Sequence, residues 1–501
     1  MIKVKVSEDN FIYDVHSLVK AFFPIEDVKV FCRDEEKACE TVNLAIEIDY
    51  LPDTVGMKLM ELKNADLCLD VYGQENNNTD YVVIYEGYSA KAEYNDRKEY
   101  KNVLKRHIYS VLSEYTGKKL PWGTLTGIRP TKIAMSMIND GFSDKEILDY
   151  YRNVYLTSDK KANLAIRIAH RELNVLSGIH YEQGYSLYIG IPFCPTTCLY
   201  CSFTSFPRIA YEKKIQDYID CLKKEIDYVA DAFRDKVLDS VYIGGGTPTT
   251  LTAPELEELI SYLKSKLDFE NVLEFTVEAG RADSITRDKL EKLHELGVTR
   301  ISVNPQTFKQ ETLDIIGRRH TVEQVEEAYA LARECGFDNI NMDLIVGLPG
   351  EEYEDVYSTM QKVSKLAPDS VTVHSLAIKR ASRLNGWITE HGMECISNSD
   401  EIMDMTTDIT GHMGLEPYYL YRQKNMTGNM ENVGYALLGK EGIYNILIME
   451  EVQTIVALGA GTVTKRVYSD GRIERCDNVK DVGLYIEKID EMIERKRELF
   501  K

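Results

Sequence analysis

Between residues 186 and 375 the chain alternates short apolar segments with longer amphipathic ones. The apolar segments have the length of buried strands, and the amphipathic ones repeat their apolar positions with a helical period. Each strand–helix unit takes about 30 to 60 residues, which favours a parallel sheet, either a partial (β/α) barrel or an open doubly wound sheet. The predicted strands are Leu187–Ile191, Ser240–Ile243, Leu273–Val277, Arg300–Val303, Asn339–Val346 and Ser370–Ser375. The predicted helices include Tyr211–Phe233, Pro254–Leu267, Arg287–Leu296 and Val322–Cys335.

The flanking segments have other patterns, so we predict three regions: 1–180, 181–380 and 381–501. The first begins with short β-rich pieces and continues with helical patterns at 97–115, 143–152 and 160–177, which predicts an α+β accessory region. The last is mostly helical, with a β-like stretch near Gln453–Ala457, and predicts a C-terminal cap. The β-rich pieces are Ile2–Val6, Val28–Cys32, Leu44–Asp49, Leu67–Tyr72 and Tyr81–Tyr85.

Composition and charge narrow the class of protein. A chain of 501 residues with 44% hydrophobic and 28% charged residues is globular, and it is longer than one core usually organises. No apolar run is long enough to span a membrane, and the first residues do not form the apolar core of a signal peptide. The net charge of −21 argues against a large nucleic-acid footprint. We expect a cytoplasmic enzyme with two or three domains.

Three of the ten cysteines fall within eight residues, as Cys194-x-x-x-Cys198-x-x-Cys201. A disulfide framework would leave one of the three over, and the expected compartment is reducing. Structural zinc needs a fourth ligand, and the nearest histidine, His180, precedes the strand that leads into the cluster. Three thiolates on a tight loop can instead hold three irons of a [4Fe–4S] cluster and leave the fourth iron open. The remaining seven cysteines read as small buried hydrophobes.

Polar residues follow the predicted strands at their carboxyl ends, where a (β/α) barrel builds its chemistry. Strand two ends in Gly244-Gly-Gly-Thr-Pro-Thr249, whose glycines let backbone approach a ligand and leave N–H and C=O groups free to bind it. Strand three ends at Glu278, suited to two ribose hydroxyls or to capping a helix. Strand four leads to Gln306, which offers a donor and an acceptor. Strand five carries Asp343 inside an apolar run, where an acid needs a partner.

Two basic stretches have open interpretations. Arg318 and its neighbour Arg319 are either carboxylate ligands or solvated surface charges. Arg129 and Lys132 follow Trp122 and read as an anion site or as a loop that packs on the tryptophan.

These motifs together resemble a radical S-adenosylmethionine (SAM) enzyme. The matching residues are Tyr188-Ile-Gly-Ile-Pro-Phe-Cys194-x-x-x-Cys198-x-Tyr200-Cys201, then GGGTPT and the Glu, Gln, Arg and Asp above. The resemblance is to the oxygen-independent coproporphyrinogen III dehydrogenases, in their HemZ-type branch. It implies a partial (β/α)6 radical-SAM barrel for the middle region, an electron donor such as flavodoxin or ferredoxin, and up to two SAM molecules.

The resemblance also assigns roles. Cys194, Cys198 and Cys201 would ligate the cluster, whose free iron SAM would chelate. Tyr188, an ordinary strand aromatic by itself, would contact the cofactor near the cluster, and Tyr200 would stack on adenine. The remaining SAM contacts would be Gly245, Gly246, Thr247, Glu278, Gln306, Arg318, Asp343 and Ala377. In the resembled enzymes a 5′-deoxyadenosyl radical takes hydrogen from a propionate of coproporphyrinogen III, and loss of CO2 and an electron leaves a vinyl group.

A tetra-anionic porphyrinogen needs cations and a flat apolar bed. Tyr418, Tyr419 and Tyr421 are candidates for the bed, although core tyrosines explain them almost as well. The candidate propionate partners, which solvated helix charges would also explain, are Lys379, Arg380, Arg383, Arg422 and Lys424.

One position departs from the dehydrogenase pattern. Those enzymes carry a further cysteine two positions after the third ligand, where this chain has Phe203 after Ser202. The same ending occurs in a related haem-chaperone branch, so a haem-binding protein of the same architecture is an alternative. The chaperone's His-Asn-x-x-Tyr-Trp motif is missing, because the sequence contains no His-Asn dipeptide. A radical SAM enzyme for another substrate is the third possibility.

Overall fold

The computed structural model describes residues 1–32, 42–62, 81–127, 129–379, 382–393, 395–423, 426 and 430–501. By its internal packing the chain divides into two compact units. The first comprises Met1–Ile166 with a short stretch beginning at Gln423, and the second comprises Arg167–Arg422 with Met430–Lys501. The division into regions ending at 180 and 380 stays a prediction.

The first unit is a five-stranded sheet with helices packed on it. The strand order is β2-β1-β3-β4-β5, with parallel pairing of β1 to its two neighbours and antiparallel pairing beyond β3. Alternate residues of β1 are buried, so its apolar side chains form one core with the apolar faces of α1 and α2. The elements are β1 Ile2–Val6, α1 Ile12–Phe22, β2 Val28–Cys32, β3 Leu44–Tyr50, β4 Val55–Leu62, β5 Tyr81–Tyr88, α2 Arg97–Thr116, α3 Thr131–Asn139 and α4 Asp144–Tyr155. The predicted strand Leu67–Tyr72 lies outside the described residues.

The second unit contains the predicted parallel strands in sequential order, β6-β9-β10-β11-β12-β13, within an eleven-stranded sheet. The strands are β6 Gly184–Ile191, β9 Val237–Gly245, β10 Glu274–Glu278, β11 Arg300–Ser302, β12 Ile340–Val346 and β13 Ser370–Ser375. A short pair, β7 Phe193–Cys194 and β8 Phe206–Pro207, brackets the cysteine loop. The helices are α5 Asp159–Leu176, which begins in the first unit, α6 Arg208–Tyr211, α7 Ile215–Ala232, α8 Ala253–Lys266, α9 Arg287–Glu295, α10 Gln310–Ile315, α11 Val322–Glu334 and α12 Tyr353–Leu366. The predicted partial barrel of β/α units is confirmed.

Local sequence explains where these helices begin. Thr252 starts α8 and Thr321 starts α11, and each threonine Oγ1 accepts a hydrogen bond from the backbone N–H three residues on. The side chain at that third position, Glu255 or Gln324, bonds back to the threonine N–H. These reciprocal bonds satisfy donors that the first turn leaves open.

Among the described residues beyond 380 there are five helices, as the helical pattern predicts, and also five strands. β14 and β15 extend the barrel sheet beyond β13, and β16, β17 and β18 extend it beyond β6. β16 runs parallel to β6 and overlaps the last three residues of the predicted β-like stretch. The elements are α13 Leu384–His391, α14 Asp400–His412, β14 Glu416–Tyr421, β15 Asn432–Ala436, α15 Ile443–Glu450, β16 Ile455–Leu458, β17 Val463–Val467, β18 Ile473–Asp477, α16 Val482–Glu487 and α17 Ile489–Leu499. Among the described helices, none combines the length and apolar character that crossing a bilayer requires.

Candidate cofactor site

The three clustered cysteines lie on one loop that leaves β6 at the carboxyl end of the barrel strands. The Cys201 N–H donates to the Cys198 carbonyl over 3.2 Å, which closes a tight turn between the two. Hydrogen bonds also join this loop to neighbouring segments of the chain. The Leu199 N–H donates to the Ile316 carbonyl over 2.9 Å, and Arg281 Nη1 donates to the Thr196 carbonyl over 3.0 Å. Arg383 Nη2 donates to the Thr197 carbonyl over 2.5 Å.

The thiols meet polar side chains from neighbouring segments. Cys194 Sγ lies 3.5 Å from Thr247 Oγ1, and Cys201 Sγ lies 3.9 Å from Ser205 Oγ. Burial raises the pKa of Cys194 to about 11 and also raises that of Cys201, so both thiols are protonated at neutral pH in the metal-free chain. Metal binding would therefore release protons, because thiolates are the ligands.

The Arg318 guanidinium lies against the same loop. Burial by itself lowers the pKa of Arg318, but Tyr200 and Cys198 outweigh it and raise the pKa above its ordinary value. Arg318 is only 5% exposed, so it is not a solvated surface charge. Its role as a SAM contact stays a prediction.

The glycine run of β9 is pressed onto this loop. A Cβ on Gly246 would lie 2.6 Å from the Phe193 carbonyl oxygen and 3.0 Å from Cys194 Sγ, so only glycine fits there. The expectation that this turn leaves its N–H groups free is wrong for two residues. The N–H groups of Gly246 and Thr247 donate to the carbonyls of Ile191 and Phe193, because the close approach pairs the two segments.

Glu278, at the end of β10, is held by its neighbours. Tyr242 donates a hydrogen bond to Glu278 Oε1 over 2.6 Å. Burial raises the pKa of Glu278 to about 7, and the Asp343 charge adds to the rise. The hydrogen bonds from Tyr242 and the Gly245 N–H act in the opposite direction. The Glu278 carboxyl is therefore expected to gain or lose its proton near neutral pH.

Gln306, just beyond the end of β11, meets Asp343 inside β12. The Gln306 N–H donates to the Asp343 carbonyl over 2.9 Å, and Gln306 has left-handed backbone, with φ 68°. Such a conformation is strained for a residue with a side chain and is typical of functional sites. Burial raises the pKa of the Asp343 carboxyl, but His374, 3.8 Å away, and Asn341 outweigh it and lower the pKa overall.

The remaining predicted SAM contacts border the same end of the barrel. Tyr188 on β6 stacks on Tyr242, with ring centroids 6.0 Å apart, and burial raises its pKa. Ala377 follows β13, where the preceding Leu376 N–H donates to the Val346 carbonyl over 2.9 Å.

The residues at this site fit the [4Fe–4S] cluster and the SAM molecule that the family resemblance implies. Among the described residues, no three or more His, Cys, Asp or Glu side chains converge on one metal ion. A four-iron cube does not need such convergence, since each thiolate binds a different iron. Buried polar atoms without a protein partner border the site, namely Ser302 Oγ, Gln306 Oε1 and Arg318 Nε. A polar ligand at the strand ends would satisfy them.

The predicted substrate residues have different surroundings from one another. Arg380 and Lys424 lie outside the described residues. Arg383 bonds to the cysteine loop, and burial lowers the pKa of Lys379 and lowers that of Arg422 to about 10. Tyr418 and Tyr419 are buried at 0% and 5% exposure, which favours the core alternative, while Tyr421 is half-buried beside His374. The substrate set stays a prediction.

The sequence analysis missed four residues that contact this site: Tyr242, Arg281, His374 and Tyr444. Tyr242 was detectable, because it lies two positions before Gly244 and therefore on the same face of its strand. Tyr444 comes from α15, far along the chain, and no local pattern connects it to the barrel.

Comparison with known proteins agrees with this arrangement. Residues 188–363 match the model of the Radical SAM superfamily. The chain is 40% identical over 407 residues to the oxygen-independent coproporphyrinogen-III oxidase-like protein HemZ of Bacillus subtilis (strain 168), covering 80% of this chain and 81% of that protein. It is 32% identical over 280 residues to the heme chaperone HemW of Lactococcus lactis, covering 56% of this chain and 69% of that protein.

Among solved structures, coproporphyrinogen III oxidase (HemN) from Escherichia coli matches with a TM-score of 0.49 at 21% identity, covering 64% of this chain and 72% of that one. The identity and coverage shared with HemZ decide the family. The chain belongs to the radical SAM superfamily, in the HemZ-type branch of the oxygen-independent coproporphyrinogen-III oxidase-like proteins.

Proposed function

We propose that the protein oxidatively decarboxylates the propionates of coproporphyrinogen III, without oxygen, to give protoporphyrinogen IX. Membership of the radical SAM superfamily implies a [4Fe–4S] cluster and SAM. The observation that carries the proposal is the packing of the cysteine loop against the glycine run. Glu278, Gln306 and Asp343 lie nearby, toward the carboxyl ends of the barrel strands. The identity to HemZ supports the choice of substrate.

The cofactor pair supplies, when bound, one-electron chemistry at the SAM sulfonium; the protein positions it. Cys194, Cys198 and Cys201 would hold the cluster on a loop that Arg281 and Arg383 fix to the barrel. The glycine run brings backbone close to Cys194 without an intervening side chain, so it would allow the backbone to approach the bound groups.

Each of the remaining proposed contacts offers a polar group of the right kind. Glu278, when ionised, accepts hydrogen bonds from two ribose hydroxyls. The Gln306 side-chain oxygen lacks a protein partner and would accept a donor of the ligand. Tyr200 would stack on adenine, and Arg318 beside it supplies a fixed positive charge. A second SAM molecule, and flavodoxin or ferredoxin as electron donor, are part of the proposal by family resemblance.

Haem handling is the second candidate function. Ser202-Phe203 stands where the dehydrogenases have a further cysteine, and the 32% identity to HemW extends over more than half of the chain. Against this candidate, the His-Asn-x-x-Tyr-Trp motif is missing from the sequence. Haem handling predicts stoichiometric haem binding and no loss of CO2.

One anaerobic experiment separates the possibilities. The cluster is reconstituted, SAM, a reductant and coproporphyrinogen III are added, and CO2, 5′-deoxyadenosine and the tetrapyrroles are measured. The proposal expects one CO2 for each vinyl group formed, and therefore two CO2 for each protoporphyrinogen IX. Cleavage of SAM without tetrapyrrole change would instead indicate another substrate, and haem binding without cleavage would indicate the chaperone function.

A further inference from the structure

Tyr242 and Glu278 form a bonded pair across two neighbouring strands. In the parallel pairing of β9 and β10, Tyr242 lies opposite Thr276, so Gly244 comes opposite Glu278. Side chains two positions apart share a face, and Tyr242, Gly244 and Glu278 therefore point to the same side of the sheet. The Tyr242 hydroxyl bridges the offset and donates to Glu278 Oε1 over 2.6 Å.

Gly244 makes this bond possible. A Cβ at Gly244 would lie 2.7 Å from Cε1 of the Tyr242 ring and 3.0 Å from Cδ of Glu278. The tyrosine thus crosses directly over the glycine to reach the carboxylate. Any side chain at position 244 would separate the two.

The tyrosine ring is itself held in place. Tyr444 on α15 stacks on it, with ring centroids 4.5 Å apart and planes 26° apart, and Tyr188 stacks 6.0 Å away. Glu274 fixes the start of α15, since its carboxylate accepts the Ile443 N–H over 2.6 Å and the Tyr444 N–H over 3.3 Å. Tyr242 is therefore a rigid donor.

We infer that Tyr242 is a positioning residue for SAM: its hydrogen bond orients the Glu278 carboxylate and favours the ionised form that can accept the ribose hydroxyls, and Gly244 is required for this contact. The inference rests on the proposed function, because it takes Glu278 as a SAM contact. It adds a residue that acts through Glu278, and it gives a reason for the first glycine of the run.

The titratable groups around Glu278 set the direction of its effect. Burial raises the pKa of Glu278 to about 7, and Asp343, a like charge, adds to the rise, while the hydrogen bonds from Tyr242 and the Gly245 N–H act in the opposite direction. Tyr188 and Tyr444 also face the carboxyl; burial raises the pKa of each tyrosine, and the Glu278 charge adds to the rise. Burial and Asp343 raise the pKa of Glu278, and the Tyr242 hydrogen bond lowers it. Removal of that hydrogen bond should therefore raise the pKa of Glu278 further.

The test is SAM binding to the anaerobically reconstituted full chain, measured by calorimetry from pH 6 to 8.5. The variants are Tyr242→Phe and Gly244→Ala. Tyr435→Phe is the matched control, because Tyr435 is a buried tyrosine whose hydroxyl contacts Thr407, away from this pair. Glu278→Gln identifies the part of the pH dependence that belongs to Glu278. Circular dichroism and iron content show whether each variant is folded and loaded.

We expect Tyr242→Phe to weaken SAM binding about tenfold at pH 7 and to move the midpoint of the pH profile up by about one unit, the effect of losing one hydrogen bond to a charged group. Gly244→Ala should have the same effect, and Tyr435→Phe should leave the profile unchanged. A folded, loaded Tyr242→Phe variant with wild-type affinity and midpoint would overturn the inference. Failure of the wild-type chain to bind SAM would instead overturn the proposed function.

Discussion

Lys496 donates a hydrogen bond to Glu225 over 2.7 Å, and both side chains are fully buried. Glu225 Oε2 also accepts the Gly459 N–H over 2.8 Å and the Tyr485 hydroxyl over 2.5 Å. Through these hydrogen bonds, Glu225 on α7 binds both α17 and the loop after β16. In that loop, a Cβ on Gly461 would lie 2.7 Å from Thr204 Oγ1, just after the third cysteine, so the network also supports the cysteine loop.

Lys496→Met should lower the free energy of unfolding by about 3 to 5 kcal/mol, because it leaves the buried Glu225 carboxylate without its cation. Urea denaturation measures the change. Arg495→Met is the control, since its pair with Glu491 is exposed and should contribute less than about 1 kcal/mol. Losses of equal size in the two variants would contradict the assignment.

Replacement of any one cluster cysteine, for example Cys194→Ser, should lower bound iron and remove the charge-transfer absorbance of the reconstituted protein. Serine is a poor substitute for a thiolate on iron. Iron analysis and visible spectra provide the measurement. Cys335→Ser, remote from the loop in sequence, should load like the wild type. Full cluster content in Cys194→Ser would show that this thiol is not a ligand.

Arg281→Met should loosen the cysteine loop, since the Arg281 guanidinium donates to both the carbonyl and the hydroxyl of Thr196. Loss of these bonds should speed amide hydrogen exchange at Leu199 and Cys201 by about tenfold or more. Arg287→Met, which removes exposed ion pairs with Glu291 and Glu334, should leave these rates unchanged. The same rates in both variants would show that Arg281 does not restrain the loop.

Glu351 should make stability fall as pH rises. Burial raises its pKa from 4.5 to about 7, although Thr307 donates a hydrogen bond to it over 2.5 Å. A carboxyl whose pKa is higher in the folded state contributes its full stability below about pH 4.5 and loses it as pH rises through 7. The loss should reach about 3 kcal/mol by pH 8. Denaturation of Glu351→Gln from pH 5 to 8 should lack that share of the decline, while the exposed Glu354→Gln should follow the wild type.

Local sequence predicted the middle region well. The strand Ser370–Ser375 has the predicted bounds. Each of the other five parallel strands of the barrel begins and ends within a few residues of its predicted bounds. These strands are buried apolar runs bounded by turns and followed by amphipathic helices, so adjacent residues carry the signal. The family resemblance, read from the cysteine spacing and glycine run, is also confirmed.

Shorter elements were missed for a physical reason. α1 and β4 in the first unit, and β14 and β15 beyond the barrel, are not separated by local pattern from other short apolar runs. The sequence leaves the tyrosines of β14 open between a ligand bed and the core. The structure favours the core for Tyr418 and Tyr419, which are buried where β14 pairs with β15.

By itself the sequence determined the β/α alternation, the cysteine spacing and the glycines that allow close backbone approach, because each depends on residues near one another in the chain. Only the tertiary structure decided that Tyr242 reaches Glu278 across Gly244, that Tyr444 stacks on it, and that Lys496 pairs with Glu225 across 271 positions. Such contacts depend on which buried groups meet when strands and helices pack, and polar groups taken out of water must find partners wherever the fold places them.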